Sequence, residues 1–86
     1  MNYKQMIDKY NSGTLVDGTE TLAELRNLVE NIYEQLHYVM SLTVTEDNKS
    51  KREQIVNTHY DLIQVRKMVQ YRMTKIAAEN YRRKNG

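Results

Sequence analysis

Cysteine is absent from this sequence. That excludes disulfide staples, zinc–thiolate centres and thiol nucleophiles. Proline is absent too, so nothing in the chain removes a helical N–H and clashes with the preceding turn, and long helices are permitted. Tryptophan and phenylalanine are missing, leaving seven tyrosines as the whole aromatic content. Tyrosine suits half-buried positions, with the ring packed and the hydroxyl wet. Glycine is scarce: Gly13 and Gly18 punctuate an early loop and Gly86 is the last residue. The two histidines, His37 and His59, are too isolated for a metal site, so neither a metal nor a cofactor is expected. No run approaches the roughly 18 apolar residues of a membrane span, and the segment from Met1 to Tyr10 lacks the apolar core of a secretory signal. With no cysteine, these features predict a cytoplasmic protein without membrane contact.

What is present describes a small helical chain. Its 86 residues bound it to one domain with a modest core. Scaffolds of this size often gain stability by oligomerising. The formal net charge is +2, but the distribution is uneven. Residues 1–48 carry three cations against eight carboxylates, a balance of −5. Residues 49–86 carry ten cations against three carboxylates, a balance of +7. Opposite halves attract, within one chain or between chains, and both cases favour antiparallel helices.

The strongest periodic signal is Leu22, Leu25, Val29, Ile32, Leu36 and Val39. Their steps alternate between three and four, the seam of a helix packed along a partner helix. Glu24, Arg26, Glu30 and Glu34 fall on its polar side. A second seam runs Ile55, His59, Leu62, Arg66, Val69, Met73, Ile76 and Asn80, with Val65 and Met68 lying off it. Residues 2–10 predict a short helix stopped at Asn11-Ser12-Gly13. Asp17 with Glu20, three residues later, resembles a capping box that starts a second helix near residue 19. That helix is expected to run to about Leu42. The β-branched run Thr43-Val44-Thr45 and the polar Glu46-Asp47-Asn48 mark a turn at 43–46, with Thr43 or Thr45 capping a third helix. If neither cap acts, one helix runs through. The third helix is expected over residues 46–82, followed by a frayed basic tail at 82–86. The expected fold is all-α: a short N-terminal helix, then a long antiparallel helical hairpin, with two copies assembling into a four-helix-type bundle.

Three functional patterns follow. Arg66, Lys67, Arg72, Lys75, Arg82, Arg83 and Lys84, interleaved with Tyr71 and Tyr81, have the cations and stacking rings that nucleic-acid or acidic-partner binding requires. The same cations also suit a solvated face that complements the helix dipole and the acidic second helix. His59, Arg66 and Asn80 at seam positions fix register, or Arg66 with Arg26 meets an anionic ligand between helices. Surplus apolar area, with Met6, Met40, Met68 and Met73 as adaptable packing residues, suits helix-to-helix recognition. The function expected is therefore a non-enzymatic interaction protein, a regulator or inhibitor of phage or mobile-element type. It would be a homodimer with a protein partner, and nucleic-acid binding is the alternative.

Leu22-x-x-Leu25-Arg26-x-x-Val29-Glu30-x-Ile32, continued by Leu36, Val39 and Met40, resembles the opening helix of the small all-α chorismate mutases. Those enzymes are helical dimers of chains about this long. The resemblance implies that Arg26 would be one arm of a cationic clamp on a dicarboxylate substrate. The second arginine of that pattern falls at Thr43, so half of the clamp is missing.

Overall fold

The structure is a computed structural model and describes residues 1–85. Among these residues the chain forms α1 (Tyr3–Ser12), α2 (Leu22–Thr45) and α3 (Lys49–Asn85). The all-α expectation holds. α2 and α3 pack as an antiparallel pair, and α1 lies against both.

α1 begins with a capping box. The Asn2 side chain accepts from Gln5 N at 2.9 Å, and the Gln5 side chain accepts from Asn2 N at 3.0 Å. The next free donor, Tyr3 N, reaches Gln35 Oε1 on α2 at 2.9 Å. One of the orphan donors at the helix start is thus satisfied by the helix it docks on. Gly13 ends α1 with φ 74°. Its N–H meets Tyr10 O at 3.1 Å, and Thr14 N meets Lys9 O at 2.8 Å. Left-handed closure of this kind favours glycine.

α2 starts at Leu22, later than the expected residue 19, and Thr21 is its cap: Thr21 Oγ1 accepts from Glu24 N at 3.1 Å. The Asp17/Glu20 pair does bind backbone donors, but it organises the loop. Glu20 accepts from Asp17 N and Gly18 N, and Asp17 accepts from Thr19 N. Gly18 at φ 94° breaks the helical path between them. α2 then runs past Leu42 to Thr45. Thr43 and Thr45 do not cap α3; their hydroxyls donate back to Val39 O and Ser41 O, each at 3.3 Å. Back-bonding of this kind lets β-branched threonines finish a helix. The turn is Glu46-Asp47-Asn48, displaced from the expected 43–46, and it excludes a single continuous helix. Asn48 caps α3 by accepting from Lys51 N at 3.1 Å. α3 remains helical through Asn85, so the expected tail belongs to the helix as far as residue 85; Gly86, its last residue, lies outside the described residues.

α3 spans the molecule. Its 37 residues reach about 55 Å at 1.5 Å per residue, matching the longest dimension of 56 Å. The radius of gyration, 15.5 Å, exceeds the roughly 12 Å of a compact chain this long, because α3 overhangs a 24-residue α2.

The core is Met6 from α1, Leu25, Val29, Ile32, Leu36 and Val39 from α2, and Leu62, Val65 and Val69 from α3. Each large apolar side chain taken fully out of water contributes about 1.5–3 kcal/mol. The expected α2 seam is buried except for Leu22, which is half-buried. On α3 the phase differs from the expectation. Val65, read as off the seam, is fully buried, whereas Ile55, Met73 and Ile76 are half-buried against the core and Asn80 is exposed. α3 packs against two helices, so its buried sector turns toward α1, and His59 and Arg66 fall at its margin.

Candidate interaction surface

α1 covers one side of the α2–α3 pair. Tyr3 packs on Tyr38, with ring centroids 6.1 Å apart, and Met6 and Ile7 seat on the core. The other side is uncovered. On α2 it presents Tyr33, His37, Met40 and Val44, at steps of four, three and four; all are exposed. Such spacing keeps them on one helix face, beside but distinct from the buried seam. On α3 the facing residues are Val56, His59, Tyr60, Ile63 and Arg66. Val44 is 87% exposed and Tyr60 61%. Met40, Thr43, Val44, Val56, His59 and Tyr60 line a groove of about 330 Å³. Further along, the Arg66 guanidinium lies over the Tyr33 ring, 5.6 Å from its centroid, a contact worth about 0.5–1 kcal/mol at an exposed site. Contiguous exposed apolar side chains of this kind mark contact sites, unlike singly scattered ones.

The seven basic residues singled out on α3, from Arg66 to Lys84, are not gathered on one face. Arg66 lies over Tyr33 on the uncovered side. Arg72 lies toward the loop before α2: a Cβ on Gly18 would come within 3.2 Å of its Nη2. The Nε atoms of both arginines are buried without a hydrogen-bond partner. Lys67, Lys75, Arg82, Arg83 and Lys84 are exposed, with Lys75 Nζ 5.5 Å from the Tyr71 ring centroid. Residues 77–85 are exposed on every side of the helix, and Tyr81 in their midst is 70% exposed. This projecting end carries Arg82, Arg83 and Lys84.

Arg26 is exposed, and Thr43 donates to its own helix, 17 residues further on and about 25 Å away by the helical rise. The two positions suggested by the enzyme resemblance are therefore far apart. Arg26 also lies about 10 Å along α2 from Tyr33, whose ring the Arg66 guanidinium covers. A cavity of about 560 Å³ between α1 and the turn end of α3 has Lys4, Asp8, Glu46, Lys51 and Asp61 in its wall. Its alternating charges create no field of one sign. Among the described residues, no three His, Asp or Glu side chains group as a metal site, and no helix is long and apolar enough to cross a membrane. The methionines divide: Met6 is in the core, Met68 and Met73 flank it, and Met40 is exposed.

No family model, curated protein or solved structure matches this chain.

The strongest seam of the sequence does not mark the uncovered face, because Tyr33, His37, Met40 and Val44 mix aromatic, polar and aliphatic types. The steps themselves are in the sequence and repeat the rhythm of the core seam beside them.

Proposed function

We propose that this chain is a non-enzymatic helical interaction protein that works by self-association and by contact with a protein partner. The observation that carries this reading is the uncovered face, where Tyr33, Met40, Val44, Val56 and Tyr60 stay exposed although the core is closed by α1. Helix-to-helix recognition uses such rows of anchors at three- and four-residue spacing. Methionine at Met40 adds a side chain that adapts to the partner's shape.

A second reading rests on the projecting end of α3. Tyr81, Arg82, Arg83 and Lys84 extend beyond the neighbouring helices, where phosphates and bases have access. One experiment separates the two. The solution mass is measured by light scattering at low and high salt, with and without a short mixed DNA or RNA. A dimer indifferent to nucleic acid is the expected result. A mass increase on adding nucleic acid, lost at high salt and lost on Arg82→Ala with Arg83→Ala, overturns the first reading in favour of the second.

A further inference from the structure

We infer that the uncovered face of the α2–α3 pair receives a second copy of this chain, along a two-fold axis parallel to the helices, with α2 of each copy lying over α3 of the other. This inference rests on the self-association reading above and names its surface, its partner and its geometry.

Area is the first argument. A folded monomer of 10.2 kDa is expected to expose about 5,300 Å². This chain exposes 6322 Å². The surplus is about 1,000 Å², against the roughly 800 Å² that each partner contributes to a standard interface. Part of it belongs to the projecting end of α3. The face itself, from Val44 to Arg26, is about 27 Å long and two helix diameters wide, which gives roughly 500 Å² per copy. That area predicts a reversible, concentration-dependent dimer.

Charge selects the occupant and its orientation. α2 holds three carboxylates and one arginine, a balance of −2; α3 holds ten cations and three carboxylates, a balance of +7. A two-fold axis across the helices would set α2 on α2 and α3 on α3, like charge on like. An axis along them sets α2 on α3 twice and keeps every neighbouring pair antiparallel. The register within one chain, fixed by Tyr33 beside Arg66, carries over to this arrangement. Glu30, at the solvent edge of the α2 face, then comes level with Lys67, at the solvent edge of the α3 face in the second copy. Both are exposed. At the turn end, Met40 and Val44 of the second copy come over Val56 and Tyr60 and fill the groove. Hydrophobic contact at the centre with opposite charges at the rim is the ordinary anatomy of an interface.

The native chain has no cysteine, so single introduced thiols report contacts unambiguously. Val44→Cys protein is mixed with Val56→Cys protein, and separately with Arg26→Cys protein, under mild oxidation. Covalent pairs should form with Val56→Cys and not with Arg26→Cys. In parallel, Glu30→Lys and Lys67→Glu should each weaken the dimer about tenfold, and the double exchange should restore it. Both positions are exposed, and unchanged circular dichroism serves as the folding control. A dimer that links through Arg26→Cys, or that ignores both charge exchanges, overturns this geometry and leaves self-association standing. A monomer at every concentration overturns both.

Discussion

On one side of the α2–α3 pair, Met6 is fully buried under α1. On the other side, Met40 stands 52% exposed with no helix above it. The two methionines show what a short helix does here. α1 has ten residues, too few for a stable helix alone, yet it closes the core by supplying one buried side chain and a backbone donor to Gln35. The chain therefore completes a core without a second copy. The face left over is not needed to close that core, and its exposed side chains sit on the two helices that pack against each other.

The largest effect should come from striking what both faces share. Ile32 is fully buried at the centre of α2. Ile32→Asp would place a carboxylate among Leu25, Leu36 and Leu62 with no partner. Against a total stability of about 5–15 kcal/mol for a small domain, this should unfold the chain. A variant with an unchanged thermal melt would refute the core assignment.

The next prediction compares the two methionines directly. Met6→Ala should cost about 2–5 kcal/mol, as other large-to-small core substitutions do. Met40→Ala should change stability by less than about 0.5 kcal/mol, as exposed positions do, while weakening self-association. Urea midpoints of the two variants test the contrast, and equal losses would mean that Met40 is as well covered as Met6.

The pattern of the sequence predicts this asymmetry only in part. The α2 seam is legible because the buried sector of α2 is narrow, and Leu25, Val29, Ile32, Leu36 and Val39 all lie on it. α3 meets two helices, so the longest run of three- and four-residue steps points between its true core and the uncovered face. That is why Val65 is buried and Met73 is not. The ends of the helices depended on hydrogen bonds that side-chain type alone does not decide. Glu20 can serve a helix start or a loop, and the left-handed Gly18 makes it a loop. Thr43 can cap a following helix or bond back to its own, and Val39 O takes it. The expected helix over residues 2–10 takes Asn2 as a helical residue, whereas Asn2 is its cap, paired with Gln5 in a capping box with amide side chains in place of the usual serine and glutamate.

That cap gives a smaller, sharper test of the covered face. Asn2→Ala removes the acceptor for Gln5 N and leaves the Met6 packing intact. It should cost about 1 kcal/mol. Hydrogen exchange should show the loss in α1 first, with the α2–α3 amides protected as before. If exchange rises equally in all three helices, α1 is not a separable cover and the comparison of faces fails.

The smallest effect lies in the loop that delivers the chain from α1 to α2. Thr19 donates to the Asp17 carboxylate from its hydroxyl at 2.6 Å and from its backbone N–H at 2.8 Å. These bonds favour the charged form, and they hold the Asp17 carboxyl below the ordinary aspartate value, the Thr19 hydroxyl contributing most. A carboxyl depressed in the folded state adds stability that is present above its unfolded titration range. That stability is lost as pH falls through the folded value. Asp17 is fully exposed, so the contribution is small and should appear only as a difference between variants. Thr19→Val removes the hydroxyl donor and should move the Asp17 titration, followed by carboxyl-carbon NMR, back toward the ordinary value. In Asp17→Asn the acid-dependent part of the loss should vanish, while the stability difference between Met6→Ala and Met40→Ala stays unchanged near neutral pH. An Asp17 titration unaffected by Thr19→Val would mean that the loop is not held by this contact, and that α1 reaches the core on packing and its Gln35 bond alone.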